Sequence, residues 1–393
     1  MSTDPTRTAI GTWSGGRFMH FGEPLDDERF KRLITPDAQI PTVITADVYG
    51  AGEADIWLGR ALADVLTTPA SGAGAGRAGG LTREDVCIIG AVGHDFYEGE
   101  RNGPKGFPRF TDPSLRGSDQ YAGYLRMATE RGLERCGLEQ FDLLLLHNPD
   151  RIGYTSEVVW DGLQALKDEG LTRKIGVAPG PANGFTLDLI DCFERFGERI
   201  DWAMVILNPL EPWPGELCLD AAANNSIDVL TRVVDYGGIF YDDLLPGQPL
   251  GPGDHRSFRP AGWVQEARDK LDRLRPIAQA AGLTMFQLAC QWNLAHPAVK
   301  TVVPTLVQEA GPGARPVEDK REELAALPAQ QLLTEQDVQA IREIGDNTGC
   351  MALKGASPVF QGQEMPDSWA MSDRLEQVAR RWRIEPGRDL VKA

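Results

Sequence analysis

Two acid–base side chains stand directly after runs of strand formers: Tyr49 in "TVITADVYG" and His147 in "FDLLLLHN". A phenol and an imidazole at strand ends are groups that pass a proton to or from a carbonyl or hydroxyl oxygen. Arg232 lies inside "DVLTRVV", between apolar neighbours, where an unpaired charge is costly. Either it pairs with Asp235 or another carboxylate as a clamp, or it faces a pocket and meets an anionic or carbonyl oxygen; the second is preferred. Tyr49, His147 and Arg232 are the expected catalytic set. Trp13, Asp47, His94, Asn148, Asn208 and Asp235, at or just beyond strand ends, are expected to contact a small-molecule substrate. Against this stands the plain alternative that a lone histidine or tyrosine at such a place only packs the core. His20, His94 and His147 have ligand types that suit zinc or iron. With no His-x-x-x-His pair to support a site, no metal is expected.

These residues need a scaffold that gathers strand ends. Eight apolar runs, at 8–13, 42–47, 85–92, 141–148, 174–179, 202–208, 228–234 and 299–306, alternate with helical patterns. Near-continuous apolar runs suit parallel strands covered on both faces. The segment "SEVVWDGLQALKDEG" places Val159, Leu163 and Leu166 on one stripe, opens on Ser156 as a cap and stops at Gly170. The pattern predicts an α/β fold, a (β/α)8 TIM barrel with long loops at its C-terminal face and a C-terminal helical tail; a doubly wound open sheet is the runner-up. Residues 1–345 form the barrel. Residues 346–393 form an extension whose amphipathic stretch "SDRLEQVARRW" packs on the barrel or on a partner subunit, which would make a homo-oligomer. The Gly/Ala-rich segment 67–80 reads as a surface loop, and the Gly/Pro-rich segment 96–114 as a lid.

Composition narrows the partners. A formal charge of −17 over 393 residues argues against nucleic acid and against an anionic membrane surface. No apolar run is long enough to span a bilayer and the start lacks a signal peptide, so a cytoplasmic location is expected. The six cysteines are scattered without a Cys-x-x-Cys pair and read as small buried residues, with Cys350 the accessible one.

Four blocks, "ITADVYGAGEADIWLGRAL", "DLLLLHNPD", "LQALKDEGLTRKIGVA" and "LTMFQLACQWNLAHPAVKTVVP", together resemble the aldo-keto reductase superfamily over roughly residues 8 to 345. The resemblance implies a (β/α)8 barrel, NADP(H) at the C-terminal face, and hydride transfer to a carbonyl by Asp, Tyr, Lys and His. Tyr49 and His147 match. Ile44 stands at the aspartate and Ala91 at the lysine. Ala178 and Pro179 stand at the Ser-Asn pair that holds the carboxamide, Met204 at the glutamine, and Arg232 at the ring under the nicotinamide. Arg315 and Lys320 remain to meet a phosphate. A tyrosine near pKa 10 with no cation beside it is a poor acid–base group at neutral pH. From these joint losses the expectation is a cofactor-independent, non-redox enzyme, a lyase cleaving a C–C or C–O bond of a hydroxy or carbonyl compound. Its alternatives are an NADP(H)-dependent reductase with an atypical site and a non-catalytic ligand-binding barrel.

Overall fold

The computed structural model describes residues 4–66, 80–102, 106–180, 185–347 and 371–390. The strands are β1 (Ala9–Gly11), β2 (Thr42–Ile44), β3 (Cys87–Val92), β4 (Leu143–His147), β5 (Ile175–Ala178), β6 (Trp202–Ile206), β7 (Asp228–Arg232) and β8 (Val299–Val303). They pair in sequence order, each parallel to the next. A parallel bridge between Thr8 and Val302 joins the last strand to the first, so the sheet closes into a barrel and the open-sheet alternative falls. The strands are shorter than the apolar runs. Past Ile44, Thr45 and Asp47 still donate ladder bonds to the carbonyls of Ile89 (2.8 Å) and Ala91 (3.1 Å) as the chain turns outward.

Alternation along each strand sorts the side chains into two cores. Ile44 and Ala46, Ile89 and Ala91, Leu143 and Leu145, Met204 and Leu230 fill the barrel. Val43, Ile88, Leu144 and Leu146, Val205 and Val229 pack outward against the helices. This parity has consequences for the site. His147 continues the inward series 143, 145; Arg232 follows inward Leu230; Asp47 falls on the outward parity of Val43 and Thr45.

The helix Glu157–Asp168 buries Val159, Leu163 and Leu166 as expected and ends before Gly170 at φ 82°. Ser156 occupies the cap position, but its hydroxyl makes no capping bond. In the tail, the helix Asp373–Trp382 lies against the helix Thr186–Phe196. Arg374 pairs with Asp191 and Arg381 with Glu194, while Leu375, Val378 and Ala379 are buried. That face of the tail therefore covers the barrel of its own chain. The five described cysteines are buried; Cys350 and residues 67–79 of the Gly/Ala-rich segment lie outside the described residues. No helix among the described residues is long and apolar enough to cross a membrane.

Candidate active site

The C-terminal ends of the strands open into a cavity of about 270 Å³. Tyr49 from the turn after β2, His94 after β3, His147 and Asn148 at the end of β4, Pro179 after β5, Ile206 on β6 and Arg232 on β7 all line it. The three expected catalytic residues thus converge on one space. The Tyr49 ring stands edge-on to His147 with centroids 5.8 Å apart. His94 meets the other side of His147 at 5.3 Å. Ile44 and Ala91 are buried in the barrel interior below them, where they carry no proton.

The charges of the wall are one-sided. Among the described residues five arginines (Arg101, Arg109, Arg232, Arg256, Arg259) and four histidines line the cavity, with no carboxylate, in a chain of net charge −17. Most of these arginines are already engaged. Arg109 Nε donates to the Asn148 carbonyl (2.5 Å), Arg256 is buried between Asp254 and Glu309, and Arg259 forks onto Glu211 (2.9 and 3.2 Å). Arg232 differs. Its one hydrogen bond runs from a terminal nitrogen to the Pro179 carbonyl (3.0 Å), its Nε is buried without a partner, and no described carboxylate pairs with it. The clamp with Asp235 does not form, because Asp235 instead accepts from the backbone amides of Thr305 (3.1 Å) and Leu306 (3.3 Å).

Burial sets the protonation states. It pushes the Tyr49 phenol up to about 12, with Arg232 pulling the other way. Burial, then the positive charge on His94 when protonated, Arg232 and Arg109, hold His147 well below the usual imidazole value, so the ring is neutral. His94 is pushed down to about 3 by burial and by Arg109, partly opposed by the Phe107 carbonyl. That carbonyl, an acceptor only, lies 3.0 Å from His94 Nδ1, so Nδ1 carries the proton and Nε2 accepts from the Asn148 amide at 3.0 Å. His94 and Asn148 therefore buttress His147. Gly93 makes this packing tight: a Cβ there would sit 2.3 Å from the His147 carbonyl oxygen.

Four expected substrate contacts are not on the wall. Trp13 is buried behind Tyr49, its ring edge-on at 6.4 Å. Asn208 is fully buried, bonding Glu211, the Val233 carbonyl and the Leu210 amide, and shapes the loop after β6. Asp235 ties β7 to the segment after β8, as described. Asp47 points outward by parity and is buried, both oxygens unpartnered. Burial and the neighbouring Asp55 raise its pKa well above the ordinary carboxylate value, though Arg135 and the Val48 amide oppose. A folded-state pKa raised above the unfolded one means that stability is lost as pH rises from the unfolded value toward the folded one. Asp47→Asn should therefore raise Tm at pH 7 by roughly 1–4 °C, with a smaller gain as pH is lowered toward 5.5; calorimetry on both proteins checks it. The two proposed phosphate residues are also spent internally: Arg315 pairs with Glu323, and buried Lys320 with Asp243 and the Val307 carbonyl. His20 stacks on His255 at 6.4 Å rather than joining His94 and His147, and no group of three metal-ligating side chains occurs among the described residues.

Sequence reasoning missed Arg101, Arg109, Arg256, Arg259 and His255 as wall residues. Their only signal was the density of Arg and His in the loops "ERNGPKGFPRF" and "GDHRSFRP".

The chain belongs to the aldo/keto reductase family, whose model matches residues 9–346. A 6-dehydroglucose reductase of Novosphingobium aromaticivorans is 31% identical over 46% of this chain and 52% of that protein, so the match spans about half its length. A probable voltage-gated potassium channel subunit beta of Arabidopsis thaliana is 22% identical over 77% of this chain and 85% of its own. The structure of a glycerol dehydrogenase from Gluconobacter oxydans superimposes with a TM-score of 0.62 at 22% identity, over 86% of this chain and 90% of that one, a likeness of fold.

The expectation of a cofactor-independent lyase is overturned by this membership and by the reductase among the relatives. Membership supports an enzyme, and an oxidoreductase rather than a lyase. The error lay in taking six substituted positions as a lost reaction. Arg232, on β7, lines the same cavity as Tyr49, while Ala91 occupies the lysine position on β3.

Proposed function

We propose that the chain is a nicotinamide-dependent oxidoreductase that interconverts a carbonyl and a hydroxyl on a small polar substrate. The observation that carries this reading is the convergence of Tyr49, His147 and Arg232 on one cavity in a chain of this family. The nicotinamide dinucleotide, when bound, supplies or accepts the hydride.

The donor set of the cavity fits such a group. A wall with five arginines and no carboxylate among the described residues suits a ligand bearing phosphates. Ala178, Pro179, Met204 and Ile206 supply the apolar surface that a planar base requires, and the flat guanidinium of Arg232 can lie against a ring face.

Tyr49 is the proton donor. Its phenol at about 12 stays protonated at neutral pH and still gives its proton downhill to an alkoxide oxygen. Arg232 stabilises the phenolate left behind. His147, neutral and held from behind by His94, presents its ring to the carbonyl oxygen and orients it. The name of the reductase relative supports a sugar-like carbonyl as substrate class.

Titration of the purified protein with NADH and with NADPH tests the reading. Quenching of tryptophan emission, to which Trp13 behind Tyr49 contributes, should saturate with a Kd of about 1–100 μM for at least one of them. Absence of quenching by either at millimolar concentration would sink it.

A further inference from the structure

We infer that Arg232 makes this site discriminate between the two redox forms of its dinucleotide, binding the reduced form far more tightly than the oxidised one. The inference rests on the functional reading above and adds a direction to it.

The reduced nicotinamide ring is neutral. The oxidised ring, having given up a hydride, carries one positive charge. Hydride transfer requires the ring carbon within about 3–3.5 Å of the carbonyl carbon. The carbonyl oxygen must at the same time be within hydrogen-bond reach of Tyr49. Arg232 lines the same cavity as Tyr49 and His147. A productive ring therefore shares the cavity whose wall this guanidinium forms.

No described carboxylate of the wall offsets that cation. Arg256 and Arg259 are neutralised by Asp254, Glu309 and Glu211; Arg232 has only a carbonyl oxygen. No described carboxylate faces the cavity to receive a cationic ring. Two like charges sharing one partly buried site repel strongly enough to weaken binding by roughly 10–100-fold, even after screening by solvent in the cavity mouth. A neutral ring meets the flat guanidinium without that penalty. The enzyme is thus loaded with the reduced form and releases the oxidised form readily, which suits a reductase.

The test is calorimetric titration of the wild type, Arg232→Met and Arg232→Lys with NADH and NAD+, and with NADPH and NADP+, alongside Tm measurements. The wild type should bind the reduced member of its preferred pair about 10–100-fold more tightly than the oxidised member. Arg232→Met should shrink that ratio to about threefold or less, mainly by tightening the oxidised form, and Arg232→Lys, which keeps the charge, should retain most of it. A wild-type ratio near one, or an unchanged ratio in Arg232→Met, overturns the inference and leaves the oxidoreductase reading standing. Failure of every form to bind the wild type overturns both.

Discussion

Tyr49→Phe should lose about 10²–10⁴ of the turnover of carbonyl reduction while its fold and its affinity for the dinucleotide persist. The substitution removes one oxygen. The ring remains packed between Trp13 and His147 at 6.4 and 5.8 Å, so the barrel mouth keeps its shape. The wild type should in addition show a flat rate against pH from about 6 to 10, and the sign follows from the raised phenol. The active form is protonated, and a pKa pushed up to about 12 keeps it so throughout this range. His147 adds no inflection there, because burial already holds it neutral. Single-turnover rates and Tm on the same preparations decide the matter. A rate that falls with a midpoint near neutrality, or a Tyr49→Phe protein of near-normal turnover, would assign the proton to another group.

Arg256→Met should cost about 3–5 kcal/mol of stability, the largest structural effect expected here. Arg256 is 2% exposed and holds two carboxylates that are equally hidden. Its terminal nitrogen donates to Asp254 Oδ2 (2.8 Å) and to Glu309 Oε2 (3.0 Å), and another reaches the Gly237 carbonyl (3.1 Å). Asp254 also accepts from the Gly22 amide, so the network ties the segments after β1, β7 and β8 together over the cavity. Removing the guanidinium leaves two buried negative charges unpaired. In a chain of this size the loss should appear as a fall in Tm of roughly 4–6 °C. Arg256→Met combined with Glu309→Gln should recover part of it, because one orphaned charge is gone. Equal Tm values for the wild type and Arg256→Met would mean that water, rather than the arginine, neutralises these carboxylates.

How far the site was legible depended on whether a residue lay on a strand. His147 and Arg232 follow inward-facing Leu145 and Leu230 at period two, so their direction was already implied by the apolar runs that precede them. Asp47 fails by the same rule: counting back through Thr45 and Val43 places it on the outer face. Asn208 and Asp235 lie just past the ends of β6 and β7, where the chain leaves the sheet and strand parity ends. Backbone partners decide their direction instead, the Leu210 amide and Val233 carbonyl for one and the Thr305 and Leu306 amides for the other.

By itself the sequence determined a parallel α/β sheet, because alternating apolar runs and amphipathic helices are local patterns, while the Thr8–Val302 bridge in the structure decided that the sheet closes. The sequence also determined that Tyr49 and His147 each follow a run of strand formers and that Ile44 and Ala91 carry no charge. Only the tertiary structure decided what the arginines do. Whether a guanidinium is neutralised depends on carboxylates tens of residues away, as Glu309 is from Arg256 and Glu211 from Arg259. Loops without periodicity bring those pairs together. Arg232, which no such loop supplies with a carboxylate, is left as the uncompensated charge beside Tyr49 for the same reason: electrostatic balance is a property of distances in space, and sequence spacing does not encode it.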